Sequence, residues 1–268
     1  MVCSRSFMDA FLTRGAFAGS VIDVNAFRGS FVGEARFHGC IMFSNWPRRE
    51  VARLLPPELE LAGNNSALSD VHPVVFIFGE QTDGAVIFGG VTVPTGVHYH
   101  EFGMAIPFVK HVRGRYLHTH IVRMYASYFP AVWNGSTHYG FAKEMGKMSW
   151  QGPVFVLTTE EEALLFHAAV EREGEWSPGS ACMLPSFEAM REAFALPIVG
   201  RKADGTLVCS YFGWAFSEAS VRAADACASI DAPLVDGLTP RRCHDVPSGT
   251  FDVRGMTWRV TWPAKCEF

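Results

Sequence analysis

Apolar residues along this chain recur with two periods, and the shorter one dominates. The segments VVFIF (74–78), AVIFGGVTV (85–93), VHYHEFGMAIPF (97–108) and RYLHTHIVRMY (115–125) are dense in β-branched and aromatic residues. Turn-forming clusters at Asp83-Gly84, Pro94-Thr95-Gly96 and Arg113-Gly114 separate them, which predicts short strands joined by turns. Val32 to Phe43 predicts a further strand with a glycine break, and PVFVLTT (153–159) and TWRVTW (257–262) predict two more. LPIVGRK and LVCSYFGWAF flank Ala203-Asp204-Gly205-Thr206, a hairpin signal. The helical period is confined to short stretches. PRREVARLL (47–55) opens on proline and spaces Val51, Leu54 and Leu55 along one face, then meets Pro56-Pro57, which cannot continue a helix. Ser186 to Phe194 predicts a second helix, while LLFHAAVER (164–172) fits strand and helix alike. A glycine-containing segment, 133–146, has no clear period. No repeat, low-complexity tract or linker divides the chain. The expectation is an N-terminal arm over 1–30 with no assigned role, followed by one β-rich α+β domain over 31–268. Many short strands with turns every 8 to 12 residues suggest a sandwich or barrel with a few helices.

Composition narrows this picture. Of 268 residues, 49% are hydrophobic and 22 are Phe, while charged residues make up 19%, below the ~25% usual for soluble domains. Such a chain can bury a large core and is not a disordered one. The net charge is −4 with no long basic run, so a nucleic-acid partner is not expected. Seven cysteines (Cys3, Cys40, Cys182, Cys209, Cys227, Cys243, Cys266) are dispersed with no Cys-x-x-Cys pair, and read as free thiols in a reducing compartment. Residues 1–22 lack the continuous apolar stretch of a signal peptide, and nothing downstream resembles a membrane span. The expected location is cytoplasmic.

Two segments carry candidate chemistry. In Tyr99-His-Glu-Phe-Gly-Met-Ala-Ile-Pro107, strand alternation puts Tyr99 and Glu101 on one face and His98 and His100 on the other. A carboxylate inside so apolar a strand is costly to bury without a partner. In Gly135-Ser-Thr-His-Tyr-Gly-Phe-Ala-Lys-Glu-Met-Gly146, one lysine sits among aromatic, glycine and apolar residues. Desolvation by such neighbours weakens an amine's preference for the charged form, the condition for a nucleophilic lysine.

Together these segments resemble the acetoacetate decarboxylase superfamily. Its Tyr-x-Glu-x-Gly-x-x-Ile-Pro strand is matched by Tyr99, Glu101, Gly103, Ile106 and Pro107, and its Lys/Arg-Gly-x-Tyr-Leu-His turn by Arg113, Gly114, Tyr116, Leu117 and His118. Its Lys-Lys-Leu-Gly is met by Lys143-Glu144-Met145-Gly146. ARLLPPELEL (52–61), LPIVGRKADGTLVCSYF and APLVDGLTPRR (232–242) parallel further stretches, so the resemblance runs from about 38 to 263. It implies an antiparallel barrel-like cone with outer helices and an interior pocket. It also implies a Schiff-base lysine at Lys143, with Glu101 transferring a proton or positioning the reacting group. Tyr99, Met104, His138 and Phe141 are the expected substrate neighbours. A small carbonyl or keto-acid substrate, no cofactor and a homo-oligomeric assembly complete the expectation. Decarboxylation and aldol condensation with dehydration both fit, because both pass through an enamine.

The sequence also departs from that pattern. Glu144 replaces the second lysine, and a carboxylate beside Lys143 would favour the ammonium form. Gly135-Ser136-Thr137 stands where the family has Gly-Arg-Glu, and Asn45 falls near an arginine suited to a substrate carboxylate. Two competing roles follow. His98, His100, His118 and His120 form two His-x-His pairs, but a metal needs three or four converging ligands, and His98 and His100 face away from Glu101. No metal is assigned. The other is a non-catalytic barrel that binds an apolar or carbonyl-containing metabolite.

Overall fold

The computed structural model describes residues 30–62, 70–182, 185–231, 234–235, 238–246, 249–266 and 268; all but the last residue of the 1–30 arm lies outside them. The long alternating region folds first into β1 (Phe31–Pro47), α1 (Arg48–Ala52), β2 (Leu59–Leu61), β3 (Val71–Phe88), β4 (Val91–His111) and β5 (His118–Ala126). Next come α2 (Phe129–Thr137), β6 (Lys143–Met145), β7 (Lys147–Gln151), β8 (Val154–Thr158), β9 (Leu164–Arg172), β10 (Ser177–Pro178) and α3 (Pro185–Phe194). The rest is β11 (Ile198–Arg201), β12 (Leu207–Ser210), β13 (Phe212–Ala215), β14 (Ser220–Ile230), β15 (Arg241–His244), β16 (Thr250–Thr261) and β17 (Ala264–Lys265).

The described strands form one large mixed sheet, barrel-like but not closed into a ring. β1 lies between β3 and β16 and runs antiparallel to both. β5 pairs antiparallel with β4, and parallel with β6 and β11. The segment 164–172, ambiguous in sequence, is strand β9, because it is held between β8 and β14. A nine-residue run gains ladder partners on both edges there, which an isolated helix would lack.

Two predicted breaks are absorbed into longer strands. At Asp83-Gly84 the register slips and Asp83 takes φ 53°, a bulge rather than a turn. Pro94 stays within β4 opposite that irregularity, where its missing N–H is tolerated. The actual hairpin turn is Gly89-Gly90, with Phe88 opposite Val91 and both glycines at positive φ (55° and 84°), as a two-residue turn requires. α1 is shorter than the 47–55 pattern predicts, and α2 occupies part of the segment that showed no period. The 203–206 hairpin joins β11 to β12 as expected, with Lys202 N–H donating to Thr206 O at 2.9 Å.

The expectation of free thiols throughout is corrected at one place. Cys209 and Cys266 are joined in a disulfide. They are 57 residues apart, and only the pairing of β12 with β17 brings their Cα atoms to 5.0 Å. Among the described cysteines, Cys40, Cys182, Cys227 and Cys243 are free.

Each face of the sheet packs its own core. One holds Phe76, Phe78, Phe102, Phe155 and Phe166, with the Phe102 and Phe166 rings 4.7 Å apart between centroids. The other gathers Phe187 and Phe194 of α3 against Phe216, Phe251 and Met256. Burying each such side chain is worth about 1.5–3 kcal/mol, so both faces are fixed by many concurrent contacts. No helix among the described residues is long and apolar enough to cross a membrane.

Candidate functional site

Alternation along β4 divides its residues between the two cores. Phe102, Met104 and Ile106 are fully buried in the Phe-rich core. Tyr99, Glu101, Gly103, Ala105 and Pro107 therefore face the other way. Paired residues carry that face across the sheet: Ile77 lies opposite Gly103, Gly103 opposite Met124, and Met124 opposite Lys143. Lys143 thus reaches the Glu101 face from β6, three strands away from β3.

Local hydrogen bonds fix the lysine's backbone. Phe141 N–H donates to Gly135 O at 3.0 Å, Lys143 N–H to Phe141 O at 2.8 Å, and Ser136 Oγ to Lys143 O at 3.0 Å. Met124 N–H donates to Ala142 O at 2.9 Å and ties the segment to β5. Gly135, inside α2, makes room for the side chain. A Cβ there would stand 2.8 Å from Lys143 Cδ.

Lys143 Nζ donates to Glu101 Oε1, and the two side chains are only 6% and 12% exposed. Taking two charges out of water costs several kcal/mol per ion, which their attraction offsets only with good geometry and further hydrogen bonds. Glu101 has such a bond: its Oε2 accepts from Gln81 Nε2 at 2.9 Å. Gln81 is itself buried, and its Oε1 accepts from Trp258 Nε1 at 2.7 Å. The result is a chain from an indole N–H through an amide to the carboxylate, which fixes which oxygen faces the lysine. The Tyr99 ring stands 5.8 Å from Nζ, within cation–π range, and stacks on Tyr128 with centroids 5.8 Å apart. Burial pushes the Tyr99 phenol well above its usual range, and the Glu101 carboxylate adds to the effect, so it stays an O–H donor.

Glu144 does not join this group. It follows Lys143 in a strand, points to the opposite face and pairs with Arg123, with its side chain 56% exposed. Among the expected substrate neighbours, Tyr99 lies against the lysine. Phe141 is buried beside it, near the space that a Gly135 Cβ would take and packed on Tyr139. Met104 is a correction. It lies in the Phe-rich core on the far face, because an even offset from Phe102 places it there. His138 caps the end of α2, and its ring packs against Trp133 and Trp262, with centroids 5.2 and 5.0 Å away.

The four histidines considered as metal ligands are dispersed. His98 and His100 face Glu80 at 3.5 and 3.2 Å, on the side away from Glu101. His118 and His120 are buried against the backbone carbonyls of Tyr116 and Val199. Burial lowers both to a pKa of about 4, so both are neutral at pH 7.

An apolar pocket opens along the Glu101 face. Its walls include Ile77, Ala105, Ile121, Phe194, Ile198 and Trp214. It shares that face with the ion pair through two sets of neighbours. Ile77 and Ala105 flank Gly103, the residue next to Glu101 on that face, and Trp214 packs near Trp258, which bonds Gln81. Gln81, Trp214 and Trp258 carried no sequence signal for this site, since their part depends on strands far apart in the chain.

No protein-family model matches the chain, and no curated protein matches it. Solved structures do. An acetoacetate decarboxylase from Legionella pneumophila superimposes with TM-score 0.57 over 89% of each chain, at 13% identity. The enduracididine biosynthesis enzyme MppR complexed with pyruvate gives TM-score 0.52 over 89% of this chain and 91% of that one, at 12% identity. An acetoacetate decarboxylase-like enzyme from Sphingomonas wittichii RW1 gives 0.52 over 89% and 94%, at 11% identity. The chain has the acetoacetate decarboxylase-like fold.

Proposed function

We propose that this chain, carrying the acetoacetate decarboxylase-like fold, is a lyase-type enzyme that forms a Schiff base through Lys143 with a keto acid or related carbonyl compound. The observation that carries this reading is the buried Lys143–Glu101 pair, on the sheet face that also carries an apolar pocket. A buried ion pair is a weak stabilising device, because desolvation offsets most of the attraction, so its presence points to a task rather than to packing. Glu101 takes a proton from the Lys143 ammonium, leaving the amine lone pair free to attack the carbonyl carbon. The carbinolamine oxygen then leaves as water with the proton that Glu101 returns. The iminium draws the electron pair of an adjacent C–C or C–H bond onto nitrogen, giving an enamine and releasing carbon dioxide or a proton. Gln81 and Trp258 hold the Glu101 carboxylate in place for both transfers.

The likeness to MppR, solved in complex with pyruvate and with a condensation product of pyruvate and imidazole 4-carboxaldehyde, keeps the aldol-type branch open beside decarboxylation. A binding-only role is the second reading, favoured by one observation: the Lys143 ammonium already has a carboxylate partner that stabilises the charge.

Borohydride reduction in the presence of pyruvate or acetoacetate separates the two. A secondary amine at Lys143, found by peptide mass spectrometry and lost in Lys143→Met, is the expected result. Absence of adduct across a carbonyl panel, with unchanged ligand binding in Lys143→Met, would leave the binding reading. Carbon dioxide release in proportion to turnover then distinguishes decarboxylation from condensation.

A further inference from the structure

The Lys143 amine is enclosed. Its side chain is 6% exposed and that of Glu101 12%, and the apolar pocket on the same face is lined by neither of them nor by Tyr99. A carbonyl compound therefore reaches Nζ only if part of the enclosure moves. Three of the groups around the lysine are held firmly. Glu101 is bonded to Gln81, which is bonded to Trp258. Gly135 belongs to the backbone of α2 and lies against the lysine stem. Phe141 is buried, and its N–H donates to Gly135 O.

The fourth group is held differently. Nζ stands 5.8 Å from the centre of the Tyr99 ring, and the Tyr128 ring stacks on Tyr99 at 29°, with centroids 5.8 Å apart. Tyr128 is the outer member of the stack and is 36% exposed. Among the described residues neither tyrosine hydroxyl makes a hydrogen bond, so no polar contact fixes the Tyr128 ring. Its backbone, by contrast, is anchored. Tyr128 O accepts from Ala131 and Val132 N–H at 3.1 and 3.2 Å. Ser127 N–H donates to His100 O at 3.0 Å, and His100 N–H donates to Ser127 Oγ at 2.9 Å. The ring can thus turn about its Cα–Cβ bond without shifting α2, as exposed side chains do on the picosecond to nanosecond scale. With Tyr128 turned out, Tyr99 gains room to follow and uncovers the amine.

We propose that Tyr128 is the gate of this site: its ring must leave the stack on Tyr99 before a carbonyl compound of ring size reaches Lys143 Nζ. The proposal rests on the Schiff-base reading for the kind of molecule admitted, and it adds the residue that sets the size admitted. A one-carbon aldehyde passes while the stack is closed. An aryl aldehyde or ketone waits for it to open.

The test reads access to the amine rather than turnover. Formaldehyde and benzaldehyde each condense with an unprotonated amine, the carbonyl oxygen leaving as water, and cyanoborohydride then delivers hydride to the imine carbon. Labelling at Lys143 is followed by peptide mass spectrometry and normalised to Lys147, whose side chain is 57% exposed. In Tyr128→Ala, benzaldehyde labelling should rise about fivefold over wild type, the population factor of a stacked ring pair, and formaldehyde labelling less than about twofold. Tyr128→Phe keeps the ring and should match wild type with both reagents. Unchanged benzaldehyde labelling in Tyr128→Ala overturns the gate. An equal rise with both aldehydes also overturns it, because general loosening does not discriminate by size. A rise in Tyr128→Phe to the alanine level assigns the effect to the hydroxyl and overturns the stacked-ring gate. Should Tyr128→Ala fail to fold, Tyr128→Leu, which has no flat face to stack, is judged by the same criteria. Trapping of pyruvate or acetoacetate by wild type judges the Schiff-base reading separately. An adduct there without a size effect at Tyr128 sinks the gate alone, and a size effect without an adduct sinks the catalytic reading alone.

Discussion

Gly135 and Lys143 are packed so closely that a single added carbon on the glycine would stand 2.8 Å from Lys143 Cδ. The lysine's far end is held by Glu101, so the displacement cannot be absorbed by a free side-chain tip. Gly135 lies inside α2 and outside the left-handed region, where alanine is the better helix former by about 1 kcal/mol. Gly135→Ala gains that propensity but must relieve the clash, at about 1–3 kcal/mol for overpacking, so the melting temperature should stay level or fall. Trapping at Lys143 should slow by about tenfold or more, since ~1 Å of misplacement is enough for such losses. Thermal unfolding and adduct kinetics on one preparation check both halves.

Glu144 pairs with Arg123 on the opposite face from the Lys143–Glu101 pair. Glu144→Gln should change trapping at Lys143 by less than about twofold. Its stability effect should stay under about 1 kcal/mol, as for exposed ion pairs generally. A tenfold change in trapping would mean that the two faces of β6 are electrostatically coupled.

Gln81 serves two partners at once, donating to Glu101 and accepting from Trp258. Gln81→Leu leaves the half-buried Trp258 indole N–H without its partner and removes one bond from the carboxylate. Urea denaturation should show a loss of about 1–3 kcal/mol. Trapping at Lys143 should slow as well, which a purely structural glutamine would not cause once the comparison is made well below the unfolding midpoint.

Asp245, after β15, accepts from Ala226 N–H at 3.1 Å and from Thr250 Oγ1 at 2.8 Å. Burial nevertheless raises its pKa from 3.8 to about 6, with Asp225 adding to the rise. Between those values the native state binds more protons than the unfolded chain. Stability from this group is therefore fully present below about pH 4 and falls as pH rises through 6. Asp245→Asn keeps an acceptor oxygen and cannot ionise. It should be more stable than wild type at pH 8 by about 1–3 kcal/mol and should lose that advantage near pH 4, as pH-dependent denaturation would show.

Much of the fold was legible because strands declare themselves locally. The alternation through 97–108 gave both the strand and the division of Tyr99 and Glu101 from His98 and His100. The motif around Glu101 and Lys143 marked the pair that the structure brings into contact. Other features had no local signal. The 83–84 and 94–96 clusters looked like turns, yet β1 and its neighbours hold them within continuous strands, while two glycines at 89–90 make the turn. Met104 looked suited to a pocket, but whether an apolar residue lines a cavity or a core depends on which face the rest of the sheet covers.

The sequence by itself determined the β-rich class and the alternation that sets Tyr99 and Glu101 on one face and His98 and His100 on the other. Those follow from side-chain period and propensity, which act between near neighbours. The tertiary structure alone decided the Cys209–Cys266 bond, the bond from Gln81 to Glu101, the room left by Gly135, and the pairing of Glu144 with Arg123 away from Lys143. Each joins residues that are far apart in the chain or depends on empty space between them. Distances of that kind are set by how strands pair and pack, and a one-dimensional pattern does not carry them.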